Sequence, residues 1–421
     1  MRKGDCDMRK IPQIFFSLVL AVIFGLCLAM PGAAAFSGIG SGTEASPYII
    51  TTPAQLNEVR NFLGPENAGV HFRLGNDIDL YAYLAPGGAG YAKWGAEGWE
   101  PIGNYDNPFP GNFDGNGHKI TGLWIDRRTA HNIGLFGVTN AAIKNLGLEI
   151  ATAGVRGYSS IGGLSGRQLN GSSITNSYTT GNVSGGDVVG GLVGVQFFGS
   201  NITNSYATGN VSGGSDVGGL VGTQVVSNIT SSYATGNVSG YRQVGGLVGV
   251  QLFGSNITNS YATGNVSGYR QVGGLVGMQV DDSSITNSYA TGNVSGNRQV
   301  GGLVGAQFYD GNITNSYATG NLSGSGQVGG LVGWQRDNSS ITNSFRYQFA
   351  TVNDDILIPA DDPASVPHGR HGSIITASEL MTQETYIAAG WEFAPSGPWH
   401  WDDRGFPKLN IGEEVFPFRF R

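Results

Sequence analysis

Seven leucines, Leu164, Leu192, Leu220, Leu247, Leu275, Leu303 and Leu331, recur at intervals of 28, 28, 27, 28, 28 and 28 residues. Ile174, Ile202, Ile229, Ile257, Ile285, Ile313 and Ile341 keep the same rhythm, so variants of one phrase, "GGLVGVQLFGSNITNSYATGNVSGYRQV", fill residues 161–345. A fixed period of this size means that each copy is one unit whose apolar side is buried only by its neighbours. The single missing residue falls between Gln224 and Asn228, where the other copies vary freely, and this marks a surface corner.

The phrase is built from Gly, Ser, Thr, Asn and Val, which rank low for helix, while Val, Thr and Tyr favour strands. The runs "GLVGVQ", "ITNSYATG" and "NVSG" predict three strands per coil, separated by Gly and Asn. A four-stranded propeller blade needs roughly 40 residues or more, so the fold class read here is all-β, a parallel β-solenoid of 28-residue coils. Equivalent residues then stack about 4.8 Å apart.

Side-chain direction follows from a divergent earlier copy, "IGLFGVTNAAIKNLGLEI" (133–150), in which Leu146, Leu148 and Ile150 alternate as a core face. They align with Ser177, Thr179 and Gly181, and the place of Thr179 becomes Ala in the next five copies. Small residues therefore point inward, with Thr179 the imperfect fit. Tyr178, Tyr206, Tyr233, Tyr261, Tyr289 and Tyr317 point outward by the same parity, with Thr180, Asn182 and Ser184 and their equivalents. The alternative is that parity breaks at Asn176 and the tyrosines are core. Gln168 and its six equivalents face inward near a corner, where stacked amides can satisfy one another along the axis.

The ends of such an array need covering, because an open coil exposes an unpaired strand edge. Residues 1–35 read as an export signal: Arg9 and Lys10 precede the apolar run 14–30, and Ala33 to Ala35 offer a cleavage site. No second long apolar segment follows, so no membrane span is expected after cleavage. Residues 36–130 are expected to form an N-terminal cap and the first coils, with Thr52 capping a helix that begins at Pro53. Residues 131–345 form the solenoid. Residues 346–421 form a C-terminal α+β cap, with a Thr376–Glu379 capping box and an aromatic stretch, "GWEFAPSGPWHWDDRGFPKLN", to pack on the last coil.

Composition narrows the partners. Both cysteines, Cys6 and Cys27, lie in the export segment, so disulfides do not hold the mature chain together. That segment carries four basic and two acidic residues, which leaves the mature chain more acidic than the whole-chain net charge of −7 and argues against nucleic acid.

The "GGLVG" element spaced by 28 and joined to "ITNSYATGNVSG" resembles the GLUG-motif repeat of secreted and surface-attached bacterial proteins. "GSGTEASPYIITTPAQL", "NDIDL", "WEPIGNYDNPFPGNFDGNGHKITGL" and "GWEFAPSGPWHWDDRGFPKL" look like the parts that flank such repeats. The resemblance implies a scaffold or surface-display role, as in adhesin-like proteins and in the non-catalytic regions of some IgA-cleaving metallopeptidases. It also implies a bacterial source, in which the many Asn-x-Ser/Thr triplets are strand and corner chemistry rather than glycan acceptors.

Reactive constellations are not evident. A zinc peptidase needs His-Glu-x-x-His, and no such spacing joins His71, His118, His131, His368, His371 and His400. "NFDGNG" (112–117) imitates the start of a calcium loop, but Leu123 stands where its bidentate Glu belongs. Inside the repeats the Asp residues are scattered over variable corners, and the denser acids of the flanks, including Asp77, Glu97, Glu100 and Asp354, read as solvated loops. No catalytic residue, metal site or cofactor is assigned.

Three surface features are candidate binding sites. The outward tyrosines form one aromatic ladder, whose rings are expected to stack on sugar faces. Arg242, Arg270 and Arg298 occupy equivalent places in three successive coils, where an acidic polysaccharide could bridge them. Phe197, Phe198, Leu252, Phe253, Phe308 and Tyr309, with Val225, Val226 and Val280, form an apolar stripe suited to a protein partner. The leading expectation is an exported, non-enzymatic, adhesin-like scaffold, secreted or at the cell surface, that contacts glycan or protein through repeated weak sites. A polysaccharide-cleaving β-helix enzyme is the alternative, and a binder of ice or a crystalline polymer through its Thr and Asn ladders the third. The oligomeric state is left open.

Overall fold

A computed structural model describes residues 36–347, 351–352, 356–357, 369–401, 407–409 and 411. The export segment lies outside them, as do His368, Asp354, Asp355, Asp361 and Asp362. All strands and helices among the described residues belong to the unit that begins at Gly38.

The repeat folds as a parallel β-solenoid. One eleven-stranded sheet runs from Tyr48–Ile50 through His71–Leu74, Asn112–Asp114 and Ala142–Lys144, and then takes one strand from each repeat to Ser340–Thr342. Along it Phe72, Phe113, Ile143 and Ile174 stand in one column that continues through Ile202 to Ile341. A second sheet of eight strands runs from Phe136–Thr139 to Val332–Gln335. Within the repeats the run containing Tyr206 is broken: Asn201–Thr203 lies in the eleven-stranded sheet, and after the turn come the short strands Tyr206–Ala207, Val211–Ser212 and Ser215–Gly218, each paired in parallel with its equivalents.

The seven repeat leucines are fully buried. Each removes a side chain from water at about 1.5–3 kcal/mol, a gain available only because the next coil covers it. The paired glycines before each Leu are required by close approach. A Cβ on Gly245 would collide with the Val248 carbonyl, and one on Gly246 with the Gly274 carbonyl of the next coil.

Parity is as read from the divergent copy. Ser177, Ala207, Ala234 and their equivalents are buried, and Thr179 is accommodated by donating its hydroxyl to the Gly191 carbonyl at 2.9 Å. The inward serines do more than fill space. The backbone N–H of Ser177 donates to Ser205 Oγ at 3.1 Å, that of Ser205 to Ser232 Oγ, and so on to Ser344, while each hydroxyl donates to a carbonyl two residues back. On the outside, Asn182, Asn210, Asn237, Asn265 and Asn293 each accept from the backbone N–H of the Asn one coil on. The glutamine column departs from expectation. Each Nε2 spends its hydrogens on backbone carbonyls, as Gln251 does on Ser255 and Ser284, and an amide-to-amide bond joins Gln307 to Gln279. Carbonyls at the corner lie closer than the next amide, so the column ties corners to coils.

Both ends carry short helices. Thr52 caps the helix Pro53–Glu58, and Leu56 and Val59 are buried beneath it. At the other end Thr376 and Glu379 exchange the two bonds of a capping box, at 2.9 and 3.1 Å. There the strand Ser373–Ile375 pairs with Phe345–Tyr347, two short helices follow, and Trp399–Trp401 pairs antiparallel with Pro407–Leu409.

Candidate functional site

The tyrosine ladder exists, but it is not a ligand face. Tyr178, Tyr206, Tyr233, Tyr261, Tyr289 and Tyr317 point away from the coil core and stack face to face, with centroids 4.7–4.9 Å apart and planes within 9°. A ring pressed between two others has no free face for a sugar. The ladder's far half is also covered: Tyr261, Tyr289 and Tyr317 are 1–2% exposed, in one cluster with Phe345, Tyr386, Trp391 and Trp399. Tyr317 donates its hydroxyl to the Pro407 carbonyl at 3.1 Å. The tyrosines are therefore neither coil core nor open surface; Tyr261, Tyr289 and Tyr317 are the seat of the C-terminal segment. Thr291 and Thr319 are buried there too, which interrupts the flat Thr array a lattice binder would need.

The apolar stripe divides in two. Phe197, Leu252 and Phe308 are half-buried and Val225 and Val280 buried, while Phe198, Val226, Phe253 and Tyr309 are 42–57% exposed. These four have left-handed backbones, with φ between 39° and 54°. Asp281 takes the place of Phe253 in the next coil, so the stripe is broken.

The arginine row stands as read. Arg242, Arg270 and Arg298 are exposed and lie directly opposite one another in adjacent strands. Among the described residues none of the three makes an ion pair; Arg270 Nε donates to the Gln299 side chain at 3.2 Å. The same column holds His131, Ser159, Asp187 and Ser215 in the four coils ahead of Arg242. Where it ends, Arg298 and Arg370 line one cleft with Asn297, Ser325, Gly326 and Gln327. Beside the row runs a second aromatic feature that the sequence pattern alone did not single out. Tyr241 and Tyr269 precede Arg242 and Arg270 and stack at 5.0 Å and 5°, 51% and 40% exposed. The Arg242 guanidinium lies 5.4 Å from the Tyr241 ring centre. The signal was the twice-written "SGYRQV".

Several acids of the N-terminal coils are engaged with bases. Glu97 pairs with Arg127, Glu100 with Arg60, and Glu149 with Lys119. Asp77 accepts from the Lys119 backbone and sits 3.2 Å from His118; that backbone bond first, and His118 after it, holds its carboxyl below the usual range. Asp114, from the calcium-like hexapeptide, instead closes a tight turn by accepting from the Asn116 N–H, and Arg73 and Lys144 flank it. His371 is buried and accepts from the Gly330 N–H at 3.0 Å.

The fold and this surface define a repetitive β-solenoid with a basic, aromatic strip along part of its length. The chain carries GLUG-motif repeats: the motif matches residues 157–184, 185–212, 240–267, 268–295 and 296–323. The unmatched stretch between the second and third contains the coil with the single deletion.

Two curated relatives match part of the chain. One is a protein of Evansella cellulosilytica whose provisional name is Gly-rich membrane protein, 42% identical over 149 residues. The other is halomucin of Haloquadratum walsbyi, 37% identical over 143 residues. Each match takes 34% of this chain, and covers 16% of the first relative and 1% of the second. Among solved structures, a Bacteroides ovatus protein provisionally assigned as an immunoglobulin A1 protease overlays with a TM-score of 0.45 at 23% identity, over 89% of this chain and 95% of that one. An IgA1 protease overlays at 0.47 and 16% identity, over 87% of this chain and 25% of that one. No helix among the described residues is long and apolar enough to cross a membrane.

Proposed function

We propose that this is an exported surface protein that performs no chemistry of its own and holds acidic polysaccharide along its arginine row. The observation that carries the reading is the in-register column Arg242, Arg270 and Arg298, exposed and, among the described residues, without acidic partners, which ends at a cleft that Arg370 also lines. Three like charges at about 4.8 Å spacing repel one another, a cost that a polyanion removes. A polyuronate presents one carboxylate per sugar, a linear series of charges that can follow the coils. Each exposed contact is worth about 1 kcal/mol or less, so useful affinity has to come from several at once. The relatives' names, one referring to a membrane and one to a mucin, fit a surface role. The ion pairs of Glu97, Glu100 and Glu149 favour a scaffold over a carbohydrate-cleaving enzyme, which needs a pair of carboxyl groups free to act.

The test is binding of the protein to immobilised polygalacturonate and to a neutral glucan of similar length. The wild type should be retained by the polyuronate alone, and the variant R242A/R270A/R298A should pass through at unchanged melting temperature. Equal retention of the two proteins would remove the arginine row from the function.

A further inference from the structure

The arginine row stops where its strand is cut short. Arg298–Gly301 pairs with Val328–Gly329, which begins two residues later along the coil, so the place after Arg298 falls to Gly326, outside any strand. The neighbouring glutamine changes at the same point. Gln243, Gln271 and Gln299 have left-handed backbones, with φ of 47°, 57° and 58°, and Gln271 and Gln299 are buried. Gln327 is not left-handed, and it is exposed. A missing arginine side chain and an unfolded glutamine together leave a cleft of about 730 Å³, lined by Arg298 from the coil before and by Arg370 from the segment after. That volume lies within the roughly 300–1,000 Å³ of clefts that hold small ligands. The row leans toward it: Arg270 Nε reaches the Gln299 side chain one coil on, and a Cβ on Gly326 would lie 3.2 Å from Arg298 Cγ.

We propose that this cleft is a terminal subsite, which seats the last uronic acid of an acidic polysaccharide with its carboxylate between Arg298 and Arg370. The proposal rests on the polyuronate reading of the arginine row and gives that row a direction. Beyond the cleft the path is closed. The N–H groups of Leu331 and Val332 both donate to the Arg370 carbonyl, at 3.1 and 2.9 Å, so this segment lies where the next coil would have been. At the other end of the row the column passes through Ser215 to Asp187, whose carboxylate repels a polyanion, so the chain lifts off the surface there. The groups in the cleft suit one sugar acid. Arg298 is exposed, and Arg370 gives one N–H to the Gly333 carbonyl at 3.4 Å and keeps others to donate. Two planar guanidinium groups match the two oxygens of a carboxylate, and the Gln327 amide and Ser325 hydroxyl can both donate to and accept from ring hydroxyls.

Titration calorimetry of the full exported chain tests this with hexagalacturonate and with a polygalacturonate roughly ten times longer. Wild type should saturate at one protein per chain at both lengths, because each chain has one end of the right kind. R370A should weaken hexagalacturonate binding about tenfold, and R370K, which keeps the charge without the planar fork, should recover part of the loss. Q327A should weaken it about twofold at unchanged melting temperature. Y105S, which changes a tyrosine 67% exposed outside the strip, should not weaken it at all. The saturation ratio needs no variant, so it decides the matter even if R370A melts lower. If R242A/R270A/R298A loses binding while R370A and Q327A bind like wild type and the number of proteins per chain grows with its length, the terminal subsite is refuted and the arginine reading stands. If the triple variant also binds like wild type, both readings fall.

Discussion

At the scale of single residues, what decides a role is which atoms a side chain has left after its neighbours in adjacent coils are counted. Leu247 has none exposed, and Leu247→Ala should cost about 2–5 kcal/mol through the cavity it leaves. Arg270→Ala, in the next coil, should change stability by about half a kcal/mol or less. Thermal melts of the two variants check the assignment of faces. Asp216 offers a test in pH. It is partly buried, with its carboxylate accepting from the Thr223 hydroxyl at 3.1 Å, and burial raises its carboxyl above the usual range. The folded chain therefore holds that proton more tightly than the unfolded chain does. Its ionisation lowers stability as pH rises from the usual carboxylate range through the raised value. Asp216→Asn keeps an acceptor and suits a backbone φ of 53°. It should melt higher than wild type at pH 7 and show no such gain at pH 3. Inward and outward parity was legible at this scale because one divergent copy kept its leucines. The spending of the tyrosine ring faces on each other was not, since alternation along a strand says nothing about ring planes in the coil above.

At the scale of elements, the coil is the unit that the repeat spelled out, while the C-terminal segment, expected on the last coil, also lies against the tyrosine ladder of earlier coils. The Thr376–Glu379 box was readable because its partners are three residues apart. The landing of Trp399 near Tyr289 and Tyr317 joins residues far apart in the chain, and only the fold brings them together. Trp399 is fully buried and stacks on Trp391 at 4.4 Å. Trp399→Ala should cost about 3–5 kcal/mol locally and open Tyr261, Tyr289 and Tyr317 to solvent. Binding of a hydrophobic dye should rise before the main β-sheet circular dichroism is lost. Loss of both signals together would mean that the segment is integral to the coils rather than seated on them.

At the scale of the molecule, stability is close to a sum of coils and the contacts between neighbours. Deleting residues 268–295 joins Ser267 to Gly296 and restores the phrase across the junction. That protein should fold with a mostly β spectrum, whereas deletion of residues 268–281 shifts every later residue off its column and should not. The same length that buries the leucines sets the arginines at one interval, and this is where fold becomes function. The most direct measurement is the affinity of the wild-type chain for galacturonate oligomers of increasing length, at fixed salt, beside neutral oligomers of the same lengths. Affinity should climb steeply with each added sugar until the ligand spans Arg242 to Arg298, then level off, with neutral oligomers weak throughout. A flat length series, or neutral chains that bind as well as acidic ones, would contradict the account.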